Sequence, residues 1–421
     1  MNHRHKHALY PMLSVEEAQA EVLSAFKPLE PERVPVLSAL GRVLTEDIYA
    51  KGDIPPHANT AMDGYAVLAA DTQGATPESP RGLRVIENLA AGYVAEGQVT
   101  PGSAIRIMTG APMPEGADAV IPFEETQQEG EQVTLFDEVE VGANVRRAGE
   151  DVHEGDLVLT AGSYIRPQEV GMLAALGYQD VAIHRRPRVA ILATGDELVD
   201  IDEELKPGKI RNANSYSNAA QVIKYGGEPL LLGIAGDDID ELTSKIRQGL
   251  EQGADLLLTS GGVSVGDFDV VKKVLVAEGE MTFWRVRMKP GKPLAFGRIT
   301  ATVKGERRTV PVLGMPGNPV SAMVSFELFA RPAILTMLGR TDLAKPTVDA
   351  VLDNELSAKD GRRHYVRVQV EERDGEYHAA LTGDQGSGIL NSMVKANGFA
   401  IIPEPWTHAP EGSRVKVMFF E

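Results

Sequence analysis

The chain has 421 residues, more than one ordinary hydrophobic core accommodates, so about two to four domains are expected, and its 43% apolar and 24% charged content is that of a folded protein. Sixty acidic against 42 basic residues leave a formal charge of −18, which argues against a nucleic-acid groove, and the absence of cysteine excludes disulfides, thiolate zinc sites and cysteine nucleophiles. No stretch reads as the roughly 18 apolar residues of a membrane span and the N-terminus lacks a signal-peptide core, so a cytoplasmic protein with no membrane partner is expected.

The N-terminal "HRHKH" places His3, His5 and His7 in alternation, but no further ligand lies nearby and a solvated tail is the expectation. "LSVEEAQAEVLSAF" (13–26) opens with Ser14 and, three residues on, Glu17, the capping-box arrangement that starts a helix; Val15, Ala18, Val22 and Phe26 recur at helical spacing. From about residue 75 to 145 short alternating pieces such as "AIRIMTG" and "QVTLFDEVEV" lie between Gly and Pro turns, the mark of a small β-rich domain. "RPQEVGMLAALGY" (166–178) returns to helix. The β-rich piece, 51–145, is therefore expected as an insertion into an extended N-terminal domain made of 8–50 and 146–180.

Residues 181–338 alternate strand and helix. The strands are "RVAILA", "PLLLGIA", "DLLLTS" and "TVPVLGM", and the helices lie near 215–225, 238–252, 268–277 and 319–337. Such alternation predicts a mostly parallel sheet covered on both faces. After Arg340 strands such as "HYVRVQVEE", "FAIIP" and "RVKVMFF" dominate, so 339–421 reads as a compact, barrel-like β domain. The fold class is multidomain α/β plus β.

Ligands of such sheets bind beyond the carboxyl ends of the strands. The loops there are "TGDEL" (194–198), "GDD" (236–238), "SGGVSVGDFD" (260–269) and "GMPGNPVS" (314–321), and they present Thr194, Gly195, Ser260, Gly261, Gly262, Ser264, Pro316, Gly317, Asn318 and Ser321 to one shared site. No P-loop, dinucleotide fingerprint or HExxH pattern is present. Acids gather instead: Glu197, Asp237, Asp238, Asp267 and Asp269. Hard oxygen ligands spread over several loops suit a hydrated magnesium ion bearing a phosphate oxygen, with Asp238 and Asp267 the candidates for helix caps. Beside them "WRVRMKPGKPLAFG" (284–297) carries Arg285, Arg287, Lys289 and Lys292 in a very acidic chain. Strand alternation puts Arg285, Arg287 and Lys289 on one face and the Pro-Gly turn presents Lys292 close by, an arrangement suited to clamping an oxyanion.

In chain order "NTAMDGYAV" (59–67), "RIMTGAPMPEGADAV" (106–120), "RRAGED" (146–151), "TGDEL", "TSGGVSVG", "KPGKP", "GMPGNPVSA" and "GDQGSGILNSMVKANGFAIIP" (383–403) resemble the motifs of the MoeA/gephyrin E-domain family, the molybdopterin molybdenumtransferases, over nearly the whole chain. The resemblance implies a four-domain elongated homodimer whose α/β domain is similar to that of the molybdopterin adenylyltransferases. It also implies the reaction: adenylylated molybdopterin and molybdate are converted, with Mg2+, to molybdenum cofactor and AMP. Carried over by position, Asp63, Thr109, Asp151, Glu197, Asp237, Asp269 and Lys289 match functional positions. Asp269 would serve magnesium or its water, and Glu197 and Asp237 the pterin or the metal. Lys289 and Ser321, helped by Arg367 of "HYVR", would hold molybdate. Asp63, Thr109 and Asp151 would approach the partner subunit's site.

Departures from the pattern are Arg285, where the family often has Lys, His57 and Ala58 in place of a Phe-Asp pair, and Val270 in place of a Tyr. Two other readings share these residues. An adenylyltransferase of the same fold would resemble 188–330 alone, whereas the flanking regions match here too. A gephyrin-like scaffold binding a peptide would not require the full set of acids and bases. A molybdopterin adenylyltransferase and molybdoenzyme apoproteins are the partners such a chain would meet.

Overall fold

A computed structural model describes residues 12–236, 238–261, 279–303 and 305–420. They form two compact units, one of 33–40 and 44–183, the other of 12–32, 41–43 and 184 onward.

The smaller unit holds a six-stranded sheet in the order Ala119–Pro122, Gly64–Val67, Ser103–Ile107, Arg81–Leu89, Gln132–Leu135, Thr126–Glu129. Only Ser103–Ile107 and Arg81–Leu89 run parallel. Alternation along Gly64–Val67 sends Tyr65 and Val67 into a cluster with Ile121 and Leu135, and Ala66 into one with Ile105 and Val120, so the sheet is buried on both faces. A separate core of Leu44, Ile48, Ile165, Leu173 and Ile183 forms around helix Pro167–Ala175. That helix starts with Pro167 in its first turn and with the Glu169 carboxylate accepting the Arg166 N–H at 2.8 Å.

In the larger unit a seven-stranded sheet runs Met12–Leu13, Gly279–Val286, Pro293–Val303, Glu306–Met315, Leu256–Ser260, Arg188–Thr194, Glu228–Ala235. The last four are mutually parallel, as expected; Gly279–Val286, Pro293–Val303 and Glu306–Met315 form an antiparallel meander. Neighbouring residues on the strands enter opposite layers. Val189, Ile191, Leu256 and Leu258 pack under helices Ala213–Lys224 and Pro319–Met337, and Ala190, Leu192 and Leu257 under helix Ile239–Glu251.

Helix Val15–Leu23 forms with the expected capping box at Ser14 and Glu17. Val15, Ala18 and Val22 enter the same cluster as Phe326, Leu328 and Phe329, and Gln19 Nε2 donates to the Leu328 carbonyl at 2.8 Å. The helix thus packs against the core of the α/β sheet: an apolar helical stripe declares that it will be buried, not against what.

Helix Pro319–Met337 corrects an expectation, since by length and composition it could cross a membrane. Here 89% of its apolar window is buried in the protein, and a π turn at Phe326–Ala330 carries Glu327 inside. The Glu327 carboxylate accepts the Tyr225 hydroxyl at 2.8 Å and Gln221 Nε2 at 3.1 Å, with Lys345 Nζ at 3.3 Å.

The C-terminal strands close a barrel: Arg363–Arg373, Glu376–Leu381, Thr347–Leu352, Arg414–Phe419, Gly398–Ile402 and back to Arg363–Arg373. Met288–Lys289 joins as an extra strand along Arg363 and His364. A short helix, Leu390–Val394, breaks the all-strand reading of this region; its Met393 docks into the α/β core.

Candidate functional site at the carboxyl edge of the sheet

Strand register levels the carboxyl ends: Thr194 stands beside Ala235, Ala193 beside Ser260, and Ser260 beside Met315. The polar loops read from the sequence therefore leave the sheet at one edge. Gly261, at φ +95°, donates its N–H to the Met315 carbonyl at 3.2 Å, and a Cβ there would lie 2.7 Å from the Thr194 carbonyl oxygen. Only glycine fits a crossing this tight. At Gly195, φ +143°, a Cβ would collide with the Glu197 carboxylate, which lies folded over the turn.

The residue that ties these loops together is Asn214, near the start of helix Ala213–Lys224. Its amide Nδ2 donates both protons, to Ser260 Oγ at 2.7 Å and to the Gly317 carbonyl at 2.7 Å. Asn212 caps the same helix by accepting the Ser215 N–H at 3.1 Å. One asparagine thus holds the SGG and PGN loops in register.

The basic face forms as the alternation predicts. Trp284, Val286 and Met288 are buried, Arg285 is half-buried, and Arg287 and Lys289 are exposed. The run crosses from the α/β sheet into the barrel between Val286 and Met288. The turn between Lys289 and Pro293 packs on the long helix, where a Cβ at Gly291 would meet Ser325 Oγ at 2.9 Å. Ser321 lies one helical turn before Ser325 on the same face of that helix. Lys289 Nζ stands 3.6 Å from Asp360 Oδ2.

Among the acids, Glu197 is exposed at the strand end. Asp238 is the helix cap expected, accepting the Glu241 N–H at 2.8 Å. Asp237, Gly262, Ser264, Asp267, Asp269 and the helix expected over 268–277 lie outside the described residues. Among the described residues no group of three or more His, Asp or Glu side chains gathers to hold a metal.

In the smaller unit the structure joins two predicted residues. Asp63 Oδ1 accepts the Thr109 N–H at 2.7 Å and the Thr109 hydroxyl at 2.6 Å, and these bonds hold the carboxyl below the usual aspartate range. Asp151 is exposed in a separate turn, its N–H donating to the Ile54 carbonyl at 2.9 Å.

Three family models match the chain in succession: the MoeA N-terminal region (domains I and II) at residues 13–177, a probable molybdopterin binding domain at 190–336, and the MoeA C-terminal region (domain IV) at 349–420. The chain belongs to the MoeA family. Among MoeA relatives, molybdopterin molybdenumtransferase 2 of Mycobacterium tuberculosis (strain H37Rv) is 37% identical over 96% of this chain and 99% of its own length. The molybdopterin molybdenumtransferase of Bacillus subtilis (strain 168) is 35% identical over 96% of this chain and 94% of its own. The crystal structure of the molybdopterin biosynthesis MoeA protein from Pyrococcus horikoshii OT3 superimposes with a TM-score of 0.80 at 34% identity, covering 97% of this chain and 100% of that one.

Arg367, expected from the resemblance to help hold molybdate, lies within the barrel of this MoeA chain. Arg367 is fully buried, and its guanidinium is committed to its own barrel: Nε donates to Ser392 Oγ at 2.8 Å, and Nη2 to the carbonyls of Asp384 and Gly386 at 3.0 Å each. The loop so held places the Ser387 carbonyl 3.1 Å from the Val320 N–H, at the start of the long helix. Arg367 thereby fixes the 384–388 loop against the start of that helix. Asn214 and Asp360 are the residues that sequence reasoning missed. For Asn214 the signal was the "RNANS" run at a helix start; for Asp360 the run "DGRRH" shows its neighbours Arg362 and His364, but Lys289 belongs to a distant segment.

Proposed function

We propose that this MoeA-family chain inserts molybdenum into adenylylated molybdopterin, breaking the pyrophosphate bond and releasing AMP. The observation that carries the reading is Asn214 binding the Ser260 and Gly317 loops together at the strand ends, with the Lys289/Lys292 turn lying against the adjoining helix. The relatives named molybdopterin molybdenumtransferase support the reaction class.

A phosphorylated pterin needs close backbone approach and hydroxyl donors, offered by Thr194, Gly195, Gly261, Ser260 and Gly317. Molybdate needs cationic donors, offered by Lys289, Lys292 and Arg285 in a chain otherwise strongly acidic. Ser321 adds a hydroxyl on the helix face that the turn covers. In the balanced step a water oxygen adds to phosphorus as the P–O–P bond breaks, giving AMP and the pterin phosphate; the two dithiolene thiols then bond to molybdenum, which stays hexavalent, and their two protons leave with one displaced molybdate oxygen as water. Pro316 and Asn318 shape the entry to the helix.

Glu197, an exposed carboxylate folded over Gly195, is a hard oxygen donor that fits a hydrated magnesium ion. With Asp269 and Asp237 it would hold Mg2+, which when bound supplies charge neutralisation on the pyrophosphate. Asp63, Thr109 and Asp151 would serve the site of a second subunit in a cytoplasmic homodimer. An adenylyltransferase would supply the substrate and molybdoenzyme apoproteins would accept the product.

The test is to mix purified protein, adenylylated molybdopterin, molybdate and magnesium, and to follow AMP and pterin-bound molybdenum for wild type and Asp269→Asn. Coupled AMP release and metal insertion, both largely lost in the variant, is the expected result. Tight pterin binding without turnover in the wild type would overturn the reading in favour of a carrier or scaffold.

A further inference from the structure

Asp360 sits just ahead of barrel strand Arg363–Arg373 and is flanked by three basic side chains. Its Oδ1 is 2.8 Å from His364 Nε2, its Oδ2 accepts Arg362 Nη2 at 2.6 Å, and the same Oδ2 faces Lys289 Nζ at 3.6 Å. The backbone enforces this meeting, because Met288–Lys289 pairs in register with Arg363 and His364. His364 is buried, so one side of the carboxylate is fixed by a side chain that cannot swing away. Burial would push the Asp360 carboxyl upward, but the Arg362 and His364 bonds outweigh it and hold the group well below the usual range.

We infer that Asp360 is a positioning residue for Lys289, holding its ammonium over the oxyanion side of the Pro-Gly turn; the inference rests on the proposal that Lys289 binds molybdate. Three physical points carry it. Lysine is a point charge on a flexible four-carbon stem, and the ordered strand fixes only its Cα. An ammonium has three donors, so one directed at Asp360 leaves two for an anion. Arg362 already offsets the Asp360 charge, so Lys289 is oriented by the carboxylate without being neutralised by it.

The experiment measures molybdate binding to the full-length protein by calorimetry for wild type, Asp360→Asn, Asp360→Glu, Lys289→Met and the Asp360→Asn/Lys289→Met pair, with thermal midpoints recorded alongside. As a partly exposed ion pair, the contact predicts a roughly two- to fivefold weaker affinity for Asp360→Asn, and the midpoint should fall somewhat because Arg362 and His364 lose the carboxylate as well. Partial recovery is expected in Asp360→Glu, and no further loss when Asp360→Asn is added to Lys289→Met. Unchanged or tighter binding by Asp360→Asn, with Lys289→Met still weakened, would overturn the positioning role alone. So would an equal loss in the Lys289→Met background, which marks a structural effect. Equal binding by wild type and Lys289→Met would overturn the placement of molybdate on Lys289, and the inference with it.

Discussion

Asp63 and Thr109, distant in the chain, meet through two hydrogen bonds to one carboxylate oxygen, 2.7 Å from the Thr109 N–H and 2.6 Å from its hydroxyl. The bonds require the ionised acid, so the folded-state pKa lies below the unfolded one. Their contribution is complete above the unfolded value and is lost as pH falls through the lower folded value. In an amide correlation spectrum the Thr109 signal should therefore hold steady down to roughly pH 4 and move only below it. A Thr109 titration centred above that range would contradict the pairing.

Asn214→Ala removes both donors that bridge Ser260 and Gly317. A loss of about 1 kcal/mol per bond is expected in chemical denaturation. In the AMP-release assay KM should rise more than kcat falls, because the loops lose their mutual register. Wild-type stability in this variant would mean that the two loops hold their positions without the bridge.

Glu327 is buried with Lys345 and Arg331 nearby. Burial lowers the Lys345 pKa and the Glu327 carboxylate opposes it, so removing the acid leaves buried cations uncompensated. Glu327→Gln should cost about 3 kcal/mol or more in urea unfolding, with part restored by adding Lys345→Met. A neutral outcome would show that water reaches the cluster.

Arg367→Lys keeps the charge but cannot span Ser392 Oγ and the Asp384 and Gly386 carbonyls. Loop 384–388 should loosen, so amide exchange at Val320, whose N–H donates to the Ser387 carbonyl, should quicken well before global unfolding. Unaltered protection at Val320 would separate Arg367 from the loop's position.

Much of the site was legible because its signals are local. The apolar strands ending in Thr194 and Ser260, the Asp238 cap and the Trp284–Met288 alternation each depend on period or capping within a few residues. Helix 319–337 was placed to the residue, yet its resemblance in length and composition to a membrane span was missed, since only the packed structure shows what covers it.

The sequence by itself determined the order of elements, the alternation that exposes Arg287 and Lys289, and the family motifs. Tertiary structure alone decided three matters: that helix Val15–Leu23 packs on the α/β sheet, that Arg367 turns into its own barrel, and that Asp360 faces Lys289. The physical reason is common to all three. A charged or apolar side chain announces the kind of partner it needs, but which partner it meets depends on strand register between distant segments, here Met288–Lys289 against Arg363 and His364, and that register exists only once the barrel has closed.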